Sequence, residues 1–240
     1  MSSQHSGIGK TVLTEKLLCD WANEIDEFYR DKIVFFFKLR LFHYPEFQNI
    51  SLKTFLQLGT RLDKEKIESI YQKIVSEPQK AIFIFDGLDE CNGTPIECFD
   101  QSSMIANDCS KCMSGMSLFI KLVRREMLRG ATVVVTSRPT ADDFYSKLDF
   151  DRNVEIIGFT SDKIEEYVCR FCNNKNRSRL KQTIWNHIKS SSELLNLCYI
   201  PVNCFIMCTT LYECLNDLEN VHTNGLPKTL TELYERALHY

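Results

Sequence analysis

Three short runs of nearly unbroken apolar residues, Lys32–Leu39, Ala81–Phe85 and Ala131–Val135, set the terms for what this chain can fold into. Each is rich in β-branched or aromatic residues, and helix-like stretches separate them. A strand apolar on both sides needs cover on both sides, and a parallel sheet sandwiched between helices supplies it. The intervening stretches fit that role. Ser51 is an N-cap for a helix over Leu52–Leu58, and a second helix carries Ile67, Ile70, Tyr71, Ile74 and Val75 before Pro78 ends it. A third, Ser117–Leu128, turns Leu118, Phe119, Leu122 and Val123 inward and Lys121, Arg124, Arg125 and Glu126 outward, with Gly130 capping its end. Val154–Phe159 reads as a fourth strand. From Thr160 the pattern is helical only: Asp162–Cys172, Leu180–Ile188, Glu193–Leu197 and Val202–Leu215. The 240 residues suffice for one α/β domain with a small helical appendage.

The chemistry begins at the N-terminus. In Ser6-Gly7-Ile8-Gly9-Lys10-Thr11 a Gly-X-Gly-Lys-Thr sequence opens a helix-forming run, Val12 to Asn23. Glycines let backbone N–H groups curl around a polyphosphate, and the helix N-terminus adds partial positive charge. Lys10 can reach the β- and γ-phosphates, and the Thr11 hydroxyl can ligate Mg2+. The candidate cofactor contacts are therefore Ser6, Gly7, Ile8, Gly9, Lys10, Thr11 and Val12. A plain glycine-rich turn capping an ordinary helix is the structural alternative. The full pattern places a further glycine where Gln4 stands. Only Met1, Ser2 and Ser3 precede the loop pattern, so the buried strand that normally feeds such a loop is expected to be missing, as in a fragment or a chain begun at an internal methionine. In the helix itself Val12, Leu13, Leu17, Leu18 and Trp21 share one face, with Thr14, Glu15, Lys16 and Asp20 turned away.

The run Ala81-Ile82-Phe83-Ile84-Phe85 ends in Asp86-Gly87-Leu88-Asp89-Glu90. A buried strand of this kind delivers a carboxylate to the carboxyl edge of the sheet. Asp86 is placed there for the metal, while Asp89 and Glu90 can orient or deprotonate an attacking water. After the third run comes Thr136-Ser137-Arg138-Pro139, whose arginine fork suits the oxygens of a terminal phosphate.

Composition narrows the partners. A net charge of −3 gives no electrostatic case for nucleic acid or an anionic membrane. No run approaches the roughly 18 apolar residues of a membrane span, and no signal-like apolar core opens the chain. Eleven cysteines without a secretory signal read as reduced cytosolic thiols, which places the chain in the cytoplasm. Cys109-Ser110-Lys111-Cys112 and Cys169-Arg170-Phe171-Cys172 are both C-x-x-C, with Cys91 and Cys98 near the first pair. Their separation is longer than zinc sites usually use, so packing or free thiols is the better reading.

In this order, Gly7-Ile8-Gly9-Lys10-Thr11, Phe85-Asp86-Gly87-Leu88-Asp89-Glu90 and Val135-Thr136-Ser137-Arg138-Pro139 resemble the NACHT nucleotide-binding domain of NOD-like receptors, P-loop NTPases of the signal-transduction class. Gly158-Phe159, Leu197-Cys198-Tyr199-Ile200-Pro201 and Leu226-Pro227-Lys228-Thr229-Leu230-Thr231-Glu232-Leu233-Tyr234 extend the likeness to the C-terminus. The resemblance implies a P-loop NTPase α/β fold, a three-layer parallel sheet lacking its first strand over residues 1–159. It implies a small helical subdomain over 160–226, and the start of a winged-helix domain over 227–240. It implies ATP or ADP with Mg2+ as cofactors. Gly7, Gly9, Lys10 and Thr11 would hold phosphate and metal, with Asp86 on the metal, Asp89 and Glu90 on water, Arg138 as first sensor and Pro201 on the adenine. The implied activity is a nucleotide-controlled switch that self-associates through such domains, reaches signalling adaptors through flanking domains and hydrolyses ATP slowly. A conventional P-loop ATPase and a degenerate scaffold that no longer binds nucleotide are the alternatives.

Overall fold

The computed structural model describes residues 7–60, 63–91, 108–138, 148, 150–217, 226, 227 and 229–237. These fall into two compact units, one from Lys10 to Val154 and one from Glu155 onward that also takes in Gly7 to Gly9.

In the first unit the three apolar runs form strands β1 (Ile33–Lys38), β2 (Ala81–Asp86) and β3 (Thr132–Val135). They pair in parallel in the order β1-β2-β3, with Ile33 opposite Ala81, Lys38 opposite Asp86 and Phe85 opposite Val135. Alternation along the strands loads the two faces differently. Phe35, Phe37, Phe83 and Phe85 face helices α2 (Leu52–Thr60), α3 (Lys64–Ser76) and α4 (Gly115–Val123), forming the main core. Their rings pack on one another, with Phe37 stacked on Phe55 at 4.2 Å and Phe119 edge-on to Phe85 at 4.8 Å between centroids. Val34, Ile82 and Ile84 face the other way, against Leu17, Leu18 and Trp21 of helix α1 (Lys10–Ala22). The result is three layers, helix on sheet on helices, the P-loop NTPase α/β arrangement.

The caps follow the sequence. The Ser51 hydroxyl accepts from the Thr54 N–H at 3.2 Å, and the Ser114 hydroxyl accepts from the Ser117 N–H at 3.1 Å. Four local expectations change. Val12 and Leu13 are exposed while Thr14 is fully buried, because Thr14 satisfies its hydroxyl on the Thr11 carbonyl at 2.8 Å and so needs no water. Val75 is exposed, although Ile67 and Ile74 of the same helix are buried. Helix α4 stops at Val123 rather than Leu128, since Arg125 and Leu128 adopt positive φ and break the helical ladder. Lys121, within the helix and expected outside, has 1 % side-chain exposure, with its ammonium 3.2 Å from Glu126.

Val154–Phe159 is not a strand. Val154 is 85 % and Ile157 56 % exposed, and the Phe159 N–H donates to the Tyr199 carbonyl at 2.8 Å instead of to a ladder. Gly158, at φ +84°, makes the approach fit: a Cβ there would stand 2.3 Å from the Tyr199 oxygen. The remaining elements of this second unit are α5 (Ser161–Asn174), α6 (Lys181–Ser190), α7 (Ser192–Cys198), α8 (Pro201–Asp217) and α9 (Leu230–Ala237). Ile164, Val168, Ile184, Ile188, Leu194, Met207 and Leu211 build its core, together with Cys172, Cys198, Cys204, Cys208 and Cys214. Among the described residues no helix is long and apolar enough to cross a membrane.

Candidate functional site

The carboxyl edge of the sheet brings together Lys10, Asp86, Asp89 and Arg138. β2 ends in Asp86, and the parallel register sets Thr136, the residue after β3, beside it. Buried Thr136 donates its hydroxyl to Asp86 Oδ1 at 2.6 Å and accepts the Gly87 N–H at 3.0 Å. With one carboxylate oxygen held, the other points to the start of α1, where Thr11 Oγ1 donates to Asp86 Oδ2 at 3.4 Å. Gly87 sits at φ +82° and turns the chain into a single helical turn, Leu88–Glu90.

That turn sends its two acids in different directions. Asp89, with 8 % side-chain exposure, lies 3.5 Å from Lys10 Nζ and 3.0 Å from Arg138 Nε, and also accepts the Arg138 backbone N–H at 2.8 Å. Glu90 is half exposed, and its nearest ion pair is Arg40 at 3.9 Å. Lys10, Thr11, Asp86, Asp89 and Arg138 therefore converge in one unit, while Glu90 stands aside from them and Val12 is 67 % exposed.

Gly7, Ile8 and Gly9 belong with the helical unit. Gly7 and Gly9 have φ of +85° and +109°, the left-handed backbone a phosphate-cradling turn needs. Gly7 packs against Ile200 and Val202, which flank Pro201 at the first turn of α8. A Cβ at Gly7 would fall 2.1 Å from Val202 Cγ1. Ile8 lies beside Gly158, within 3.1 Å of a Cβ built there. Ser6, Gln4 and Pro139 lie outside the described residues.

The oxygen donors fit a magnesium ion. Thr11 and Asp86 are hard ligands held together, and Mg2+ takes only one or two protein oxygens when phosphates and waters complete its shell. Cys172 is fully buried in the helical core and its C-x-x-C partner Cys169 is half-buried, while of the other pair Cys109 is half-buried and Cys112 exposed. Among the described residues no group of three or more His, Cys, Asp and Glu is arranged to hold a metal. Thr136 is the residue that motif reading undervalued. Its signal was positional, a hydroxyl placed one step after a valine strand that pairs with the strand ending in Asp86.

Residues 5–175 match the NACHT domain family. "NACHT, LRR and PYD domains-containing protein 3" is 30 % identical over 233 residues in both Macaca mulatta and Homo sapiens, covering 95 % of this chain and 21 % of those proteins. "NACHT, LRR and PYD domains-containing protein 14" of Homo sapiens is 29 % identical over 208 residues, covering 86 % of this chain and 18 % of that protein. The chain thus spans about a fifth of the length of these curated relatives. With the motifs in order, a parallel sheet carrying them and the family match over most of its length, this chain belongs to the NACHT domain family.

Proposed function

We propose that this chain is the nucleotide-binding module of a NOD-like receptor type protein, taking ATP or ADP with Mg2+ and acting as a conformational and oligomerisation switch. The observation that carries this reading is the convergence of Lys10, Thr11, Asp86, Asp89 and Arg138 at the carboxyl edge of the sheet. Lys10 binds phosphate oxygens as a point charge. Thr11 and Asp86 hold the metal, which when bound offsets phosphate charge, and Thr136 keeps Asp86 in the ligating rotamer. Asp89 and Glu90 are the acids that would orient the water for slow hydrolysis. The family resemblance would put Gly7, Ile8 and Gly9 on phosphate and Pro201 on the adenine. Switching would be expressed in the cytoplasm as self-association, with adaptors recruited through flanking domains of the kind the longer relatives carry.

The test is a thermal shift with Mg2+ and ADP. At about 100 times Kd, ADP is worth roughly 2.7 kcal/mol of stability, and Lys10→Ala should abolish that gain. An unchanged shift in Lys10→Ala removes the phosphate-loop assignment. No shift in the wild type favours a scaffold that does not bind nucleotide.

A further inference from the structure

Asp89 is the most heavily engaged acid of the site. A carboxylate offers about four acceptor directions, and three of those on Asp89 are taken by Arg138 N–H, Arg138 Nε and Lys10 Nζ. Little of it is left to turn toward a water. The contacts also differ in length. The two to Arg138, at 2.8 and 3.0 Å, hold the arginine by backbone and side chain together, as a bidentate clamp does. The contact to Lys10 is 3.5 Å, long for a charge-assisted hydrogen bond, and Lys10 is 22 % exposed. The arginine is fixed, and the lysine can be exchanged.

We propose that Asp89 is a built-in counter-anion that competes with phosphate for Lys10, anchors Arg138, and biases the site toward a diphosphate over a triphosphate. The inference rests on the nucleotide-site reading above. An incoming phosphate must draw Lys10 away from Asp89, and the phosphate so held lies next to a carboxylate of the same sign. A γ-phosphate brings one more phosphate group into that field than ADP does, so the repulsion falls mainly on ATP. Asp89 is then a positioning residue that acts through Lys10 and Arg138, and the water-orienting role passes to Glu90.

The experiment titrates ATP and ADP, each with Mg2+, into the wild-type chain and into Asp89→Asn, an isostere that removes the charge. Hydrolysis per bound ATP is measured in parallel. Expected is ATP binding tighter by about tenfold and ADP binding by less than about threefold, the scale of losing one like charge beside a partly buried phosphate. The positioning role is read from the ATP-to-ADP affinity ratio, which a residue acting only on the water would leave at its wild-type value. Unchanged affinities with a large fall in hydrolysis would overturn the proposal and return Asp89 to the water. Equal tightening of ATP and ADP would overturn the discrimination. Asp89→Ser, shorter and also uncharged, should give the same ATP-over-ADP shift. If neither variant melts cooperatively, Asp89 is a structural anchor and the proposal fails. Failure of the nucleotide reading has a different signature: neither nucleotide binds the wild type or Asp89→Asn, or Lys10→Ala binds as well as the wild type.

Discussion

At the scale of single residues, Thr136 shows how a modest side chain governs a charged one. Its hydroxyl bridges Asp86 Oδ1 and the Gly87 N–H inside a buried corner, so both of its partners depend on it. Thr136→Val keeps the shape and removes both bonds. It should lower unfolding free energy by about 1–3 kcal/mol, the cost of leaving buried polar groups without partners. It should also raise the Mg2+ concentration needed for nucleotide binding, whereas Thr136→Ser restores both. A denaturant midpoint and a Mg2+ titration check this, and a silent Thr136→Val would show that Asp86 holds its rotamer unaided.

At the scale of elements, packing overrules intrinsic preference. Gly59 lies inside helix α2, where alanine would ordinarily be favoured by about 1 kcal/mol. A Cβ at Gly59 would stand 2.4 Å from the Phe37 ring. That ring is buried and held between Phe55 and Phe85, at 4.2 and 5.3 Å, so it has nowhere to retreat. Overpacking of this kind costs about 1–3 kcal/mol, so after the propensity gain Gly59→Ala should range from neutral to a net loss of about 2 kcal/mol. A urea midpoint higher than the wild type would contradict that packing. The same precedence of tertiary over local signals shortened α4: apolar periodicity ran on to Leu128, but the positive φ of Arg125 and Leu128 ended the helix, and Lys121 within it is buried beside Glu126.

At the scale of the whole molecule, the helical unit has a core that alkali should probe. Burial, with the nearby Cys208 and Cys204 thiols as lesser causes, pushes the Tyr167 phenol up to about 12 from an ordinary 10.0. Cys198 is also raised, first by the hydrogen bond its thiol shares with Cys204 and then by burial. A raised acid prefers its neutral form in the fold, so it contributes fully below its unfolded pKa and loses that contribution as pH climbs to the folded value. Stability should therefore begin to fall near pH 9, where unfolded thiols ionise, and continue through the tyrosine window from 10.0 to about 12. Tyr167→Phe should flatten the decline only in that upper window, read as melting temperature against pH. An identical slope in the variant would mean that Tyr167 ionises as freely folded as unfolded.

Strand identity, the parallel sheet, most helices and the cast of charged residues were legible from local pattern, because continuous apolar runs and motif spacing act over a few residues. Val154–Phe159 was misread for the same reason. Its composition suits a strand, yet its backbone partner is the Tyr199 carbonyl some forty residues on, in a contact only folding creates. The acidic turn divides along the same line. Its residues announce metal and water chemistry, but nothing in Asp-Gly-Leu-Asp-Glu says that Asp89 will be enclosed by Lys10 and Arg138 while Glu90 faces Arg40. Composition and spacing determined which elements and which chemical groups this chain possesses. Which partner each group meets was decided by the tertiary structure, since register and loop paths bring together charges that lie far apart in sequence.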